Sequence, residues 1–221
     1  MNELLFIGAI VLAFPCVALV GKFFGKYGLV AWIAIATILA NILTAKQITL
    51  FGLDVTLGNV MFSSTYLATD ILSERCGLKV ARKAVNIGAL SALVFIVTSQ
   101  YCLLFTPNAF DFVNESMKSL FTISFRTTSA SVILFYLANL ADVYLFEKIK
   151  QKLPSKLWVR NNVATIVCNC TENFLFMLGA FLGIMTFKEC LMLALTTSVV
   201  EAIVGVCDTP FVYLGVKWFN E

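Results

Sequence analysis

The chain has no histidine, and only 13% of its 221 residues are charged. Without His, the usual general base and the commonest metal ligand are both missing. No glycine-rich phosphate loop occurs, which argues against ATP hydrolysis by the chain itself. No Ser or Cys stands beside a base in a way that would make it a nucleophile, so an enzyme is not expected. A net charge of +3 is too small to point to nucleic acid. The seven cysteines lie mostly in apolar runs without zinc-site spacing and read as small buried hydrophobes. No metal and no cofactor is expected.

Apolar residues dominate: 60% of the chain is hydrophobic, including 20 Phe. That exceeds what a water-soluble domain carries. The expectation is an all-α, polytopic membrane helix bundle of six or seven transmembrane helices, one domain over residues 1–221. The apolar segments fall near 4–20, 28–45, 60–72, 84–105, 125–146, 163–185 and 189–216. Pro15 is a candidate kink in the first. Met-Asn-Glu lacks the basic region of a cleaved signal, so that segment is read as a retained helix. Residues 47–59, with Phe51-Gly52-Leu53-Asp54 as a turn, read as a small hairpin or a re-entrant stretch. Residues 106–124 read as a loop. Segment 60–72 is short for a full span.

Basic residues cluster in alternate linkers: Lys22 and Lys26, then Arg75 to Lys83, then Lys148 to Arg160, with Lys217 after the last segment. The other side has Lys46, Lys118 and Lys188, with Arg126 inside or at a boundary. The positive-inside bias then places the three linkers and the C-terminus in the cytoplasm of a cell-membrane protein, provided segment 60–72 crosses.

Two segments share one polar signature: Asn139, Asp142 and Phe146, and then Asn169, Glu172 and Phe176. In each, the amide, the acid and the Phe share one helix stripe. Such groups inside a membrane mark a functional cavity by default, although interhelical hydrogen bonding is the alternative role. If the two helices are antiparallel neighbours, all four polar groups fall roughly 8–15 Å from the cytoplasmic boundary and face one another. Carboxylate and amide side by side suit a planar, nitrogen-rich solute, with Phe146, Phe176, Tyr144 and Phe174 as stacking faces.

Asp70 and Glu74 sit i, i+4 beside Arg75, Lys79 and Arg82, as a solvated ion-pair cluster or a gate. Glu201 and Asp208 share one face of the last segment, where Asp208-Thr209-Pro210 is expected to break the helix. Arg160-Asn161-Asn162 reads as a helix cap and inside anchor, or as a substrate or gating group.

These residues carry a resemblance. Ala40-Asn41-Ile42 with Lys46, Tyr66 with Thr69-Asp70-Ile71-Leu72-Ser73-Glu74, and Gly77 with Lys79 and Ala81-Arg82-Lys83 are similar to the VUT family of vitamin-uptake-like membrane proteins. So are Asp142-Val143-Tyr144 with Phe146, Leu157-Trp158-Val159-Arg160-Asn161-Asn162 with Thr165, and Asp208-Thr209-Pro210 with Tyr213. Within that family the chain resembles the queuosine precursor transporters. Here Asn139 and Asn169 stand where that pattern has Gln, and Glu172 where it has Asp, each one methylene different in reach. The resemblance implies import of queuine or another 7-deazaguanine base across a lipid bilayer, feeding tRNA queuosine salvage. Several such bases bear an amine for which a second carboxylate is a suitable partner. The binding set is then Asn139, Asp142, Asn169, Glu172, Phe146, Phe176 and Arg160, with Asp70, Glu74, Asp208 and Asn41 gating or supporting. The alternative is a substrate-binding S component of an energy-coupling-factor transporter, which would need partner ATPase subunits.

Overall fold

The structure is a computed structural model that describes residues 1–121, 125–183 and 185–220, with backbone alone for 54, 125–130 and 180. The Arg126 side chain lies outside the described residues. Seven helices and one two-stranded hairpin follow in the order α1 (Asn2–Leu43), β1 (Gln47–Leu50), β2 (Leu53–Thr56), α2 (Asn59–Arg75), α3 (Leu78–Cys102), α4 (Asn114–Phe121), α5 (Phe125–Lys152), α6 (Leu157–Phe181) and α7 (Phe187–Trp218).

The first element is not one straight rod. Gly25 has φ 57° and ψ −144°, a conformation that favours glycine. The chain reverses there: a Cβ on Gly28 would strike Val20, and Asn2 Nδ2 donates to the Thr49 carbonyl at 3.3 Å. A continuous helix of this length would hold its ends about 60 Å apart. The element is therefore a helical hairpin whose legs match segments 4–20 and 28–45. Helical geometry continues through Pro15; the break is at Gly25 instead.

Residues 47–56 form the hairpin, paired from Gln47↔Thr56 to Leu50↔Leu53. Phe51 and Gly52 both have positive φ, as a two-residue hairpin turn with the right twist requires. Within the expected loop at 106–124, residues Asn114–Phe121 are helical.

Helix α2 is the axis of the bundle, buried along nearly its whole length. Its hydroxyls satisfy themselves on the preceding turn: Ser64, Thr65 and Thr69 donate to the carbonyls of Met61, Phe62 and Tyr66 at 2.7–2.8 Å. At 17 residues it measures about 25 Å, less than a bilayer core. It runs from Asn59 beside the hairpin to the Ser73 and Glu74 carbonyls that Lys150 binds, enclosed by protein over nearly that whole length. Gly215 permits this packing: a Cβ there would strike Ile71 of α2 and touch Ala18 of α1.

The two legs of α1, together with α2, α3, α5, α6 and α7, run lengthwise. At one end meet the Gly25 turn, the α2–α3 corner, the α5–α6 linker and the C-terminus. Lys22 lies over Trp218 at 4.9 Å, Arg75 over Phe219 at 5.6 Å, and Lys150 Nζ donates to the Ser73 and Glu74 carbonyls. The clustered basic residues thus share one end, and the β-hairpin and the Thr186–Glu189 cap of α7 mark the other. Leucine, valine and isoleucine side chains stand exposed along α1, α3 and α7, for example Leu12, Leu90, Leu93, Val199 and Ile203. Among the described residues, α1, α3 and α7 are apolar and long enough to cross a membrane by composition alone. Helices α2, α5 and α6 carry the polar groups described next. Helix α7 is unbroken at Pro210, against the sequence expectation. Asn161 Nδ2 donates to Asp208 Oδ1 at 2.6 Å and Asn162 Nδ2 to Thr209 Oγ1 at 2.8 Å, so the neighbouring helix holds that turn in place.

Candidate functional site

Antiparallel packing of α5 and α6 decides how the two signatures meet. Counting rise along each helix from the basic end, Asp142 lies about 15 Å in and Glu172 about 22 Å in, with Asn139 and Asn169 between them. The i, i+3 step points toward the basic end on α5 and away from it on α6. The two acids are therefore staggered rather than paired at one depth, and the expected four-residue array divides into two layers.

The layer nearer the β-hairpin end contains a cavity of about 110 Å³ between α2, α6 and α7. Asn169, Glu172 and Phe176 line it from α6, as the signature requires if it faces a hollow. Tyr66 of α2 donates its hydroxyl to Glu172 Oε2 at 3.1 Å. Asn173 Nδ2 donates to Glu201 Oε2 at 2.7 Å and lies 3.3 Å from Ser198 Oγ. Asn59 binds Thr56 through its Oδ1, leaving its buried Nδ2 without a protein partner among the described residues. The buried Asn169 Oδ1 is likewise unpartnered. Both residues line a space also bordered by two carboxyl groups, those of Glu172 and Glu201. A larger, mainly apolar cavity of about 340 Å³ adjoins it at Thr44, Ser131 and Phe176, and Asn41 lies on its wall.

The layer nearer the basic end is closed. Asn139 is buried, donates to the Phe135 carbonyl at 3.0 Å, and lies 3.5 Å from Thr65 Oγ1. Asp142 is fully buried, faces Asp70 and accepts from Thr165 Oγ1 at 3.4 Å. Arg160, only 2% exposed, reaches Glu74 Oε2 at 2.7 Å, donates to the Leu153 and Pro154 carbonyls, and stacks on the buried Phe146 at 5.5 Å. Lys150 joins Glu74 at 3.2 Å. Buried charges require such partners, which Arg160 and Glu74 have, whereas Asp70 Oδ1 and Oδ2, Asp142 Oδ2 and Asp208 Oδ2 have none among the described residues.

Several sequence expectations change here. Asn139, Asp142, Phe146 and Arg160 do not line the cavity: the last three lie on its basic-end side, and Asn139, level with Asn169, turns to the Phe135 carbonyl and Thr65 instead. Asp70 and Glu74 are not a solvated cluster with Arg75, Lys79 and Arg82. Asp70 is fully buried, and Glu74 pairs with Arg160 and Lys150, while Arg75 covers Phe219 and Arg82 donates to Tyr144 at 3.0 Å. Tyr144 therefore points away from the cavity. Arg160-Asn161-Asn162 lies inside α6 rather than capping it, since the helix starts at Leu157. Asp208 stands with Asn161 in the closed layer, one helical stretch away from Glu201. Asn59, Tyr66 and Asn173 also line the cavity, outside the repeated amide–acid–Phe signature. Tyr66 was visible within the family motif, whereas Asn59 and Asn173 carry no periodic signal of their own.

A hollow bordered by carboxyl and amide groups inside an apolar bundle is what a carrier of a small polar solute needs. The sequence comparisons agree in class. Residues 56–215 match the family described as "Putative vitamin uptake transporter", and the chain belongs to that family of membrane transporters. It is 35% identical over 209 residues to the "Probable queuosine precursor transporter" of Bacillus subtilis (strain 168), covering 94% of this chain and 91% of the relative. No solved structure matches it.

Proposed function

We propose that the chain imports a queuosine precursor, a 7-deazaguanine base such as queuine, which lodges in the cavity beside Glu172. The 35% identical relative bears that name. The observation that carries the site assignment is one cavity lined by Glu172, Asn169, Asn59 and Glu201, with the Tyr66 hydroxyl donating to Glu172. A guanine-type edge presents two N–H donors to a carboxylate, its carbonyl accepts from an amide N–H, and its ring N–H donates to an amide oxygen. Tyr66 and Phe176 supply flat apolar faces. At about 30 Å³ per water in the liquid, the cavity's 110 Å³ holds some three or four waters, so a bicyclic base also occupies part of the adjoining 340 Å³ space.

The protein is a multi-pass component of the cell membrane, with the basic end and the C-terminus cytoplasmic. The hairpin end then faces outward, and the cavity with Asn41 and Phe176 on its wall is the access path. Asp70, Asp142, Asp208, Arg160 and Glu74 form the inner closure, and release to the cytoplasm requires those contacts to part. Uptake of labelled queuine by cells lacking their own carrier tests the reading. Wild type should accumulate the label and Glu172→Gln should not; equal uptake by the two removes Glu172 from the site. Uptake in a host without energy-coupling subunits supports a self-sufficient carrier, and uptake only with them identifies a substrate-binding component.

A further inference from the structure

Glu172 and Glu201 approach the same cavity from adjacent helices, and no Lys or Arg is among its lining residues. The nearest buried cation described, Arg160, is held in the opposite layer by Glu74. Glu172 already accepts from Tyr66, and Glu201 from Asn173, each through its Oε2. A second carboxylate therefore borders the space without a cationic partner among the described residues. The acids do not stand alone: the buried Asn169 also lines the space, and its Oδ1 has no protein partner among the described residues. The lining donors are neutral amides and hydroxyls, those of Asn59, Asn169, Ser63 and Thr197 among them. The wall thus carries two carboxyl groups and no basic side chain, and its complement is a cation.

We infer that Glu201 is a specificity-determining residue that selects bases bearing a cationic amine arm over otherwise equal bases that lack one. This rests on the proposed site: Glu172 takes the guanine-type edge, and Glu201 takes the amine on the α7 side, next to Thr197 one turn before it. A neutral nitrile at the same ring position offers an acceptor to an acceptor and gains nothing there. A cation facing a carboxylate in a water-poor site makes a charge-assisted hydrogen bond that a neutral arm cannot replace.

The test is direct binding to purified protein in detergent, with the aminomethyl and the cyano forms of 7-deazaguanine as probes. Wild type should prefer the aminomethyl base by about 10- to 100-fold, the range for one charged hydrogen bond. Glu201→Gln should collapse that ratio to within about threefold by weakening the aminomethyl base, and Glu201→Asp should keep part of it. Glu172→Gln should weaken both bases alike. A wild-type ratio near one, or a ratio that survives in a monodisperse Glu201→Gln, overturns the inference. If that survival accompanies loss of both bases in Glu172→Gln, the site stands and only Glu201's role falls. If Glu172→Gln leaves both affinities intact, the site assignment falls as well.

Discussion

The Tyr66 hydroxyl of the central helix donates to Glu172 Oε2 at 3.1 Å, joining α2 to α6 at the base of the cavity. Tyr66 is only 2% exposed, so its hydroxyl has few other acceptors. Removing it should loosen the carboxylate without removing its charge. Tyr66→Phe is expected to lower uptake less than Glu172→Gln does, by about tenfold against 100-fold or more. Initial rates of labelled-base uptake, normalised to protein in the membrane, measure both.

Glu74 holds two cations of unlike burial. Arg160 is 2% exposed, whereas Lys150 is 27% exposed. Glu74→Gln leaves a buried guanidinium with carbonyl partners alone and should destabilise the protein by about 3–5 kcal/mol. Lys150→Met should cost about 1 kcal/mol or less, as for a pair near solvent. Thermal unfolding in detergent separates the two, and equal losses would refute the ranking.

Asn161 and Asp208 form the shortest side-chain bond described between α6 and α7, at 2.6 Å. A double-mutant cycle with Asn161→Leu and Asp208→Ala should give a coupling of about 0.6–1.7 kcal/mol, the span found for polar contacts between membrane helices. Additive losses would mean that the contact stabilises nothing.

Gly215 is the close-approach point of α7 on Ile71 and Ala18. Gly215→Val should cost about 1–3 kcal/mol or prevent insertion of a folded protein, because the fully buried Ile71 side chain must shift to admit it. Fluorescence-detected size exclusion should show aggregate or no peak. Gly8, with open space around it, should tolerate the same change.

Orientation is testable without substrate. In a cysteine-free background, Lys46→Cys should react with a membrane-impermeant maleimide on intact cells, and Lys152→Cys only after permeabilisation. The reverse pattern would invert the bundle and turn the cavity toward the cytoplasm.

The order of residues by itself determined the membrane class, the seven apolar segments and the gathering of basic residues at one end. Composition and charge spacing act locally, and each helix satisfies its own backbone whatever its neighbours do. The repeated amide–acid–Phe signature also identified Asn169, Glu172 and Phe176 as one stripe. Only the tertiary structure decided that its twin on α5 does not share the hollow. Antiparallel neighbours point the same i, i+3 step in opposite directions, so Asp142 went to the closed layer with Asp70 and Glu172 to the open one. Asn59, Tyr66 and Glu201 came to the cavity from helices far apart in sequence, because α2 passes through the centre of the bundle, where burial depends on what surrounds a helix rather than on its own pattern.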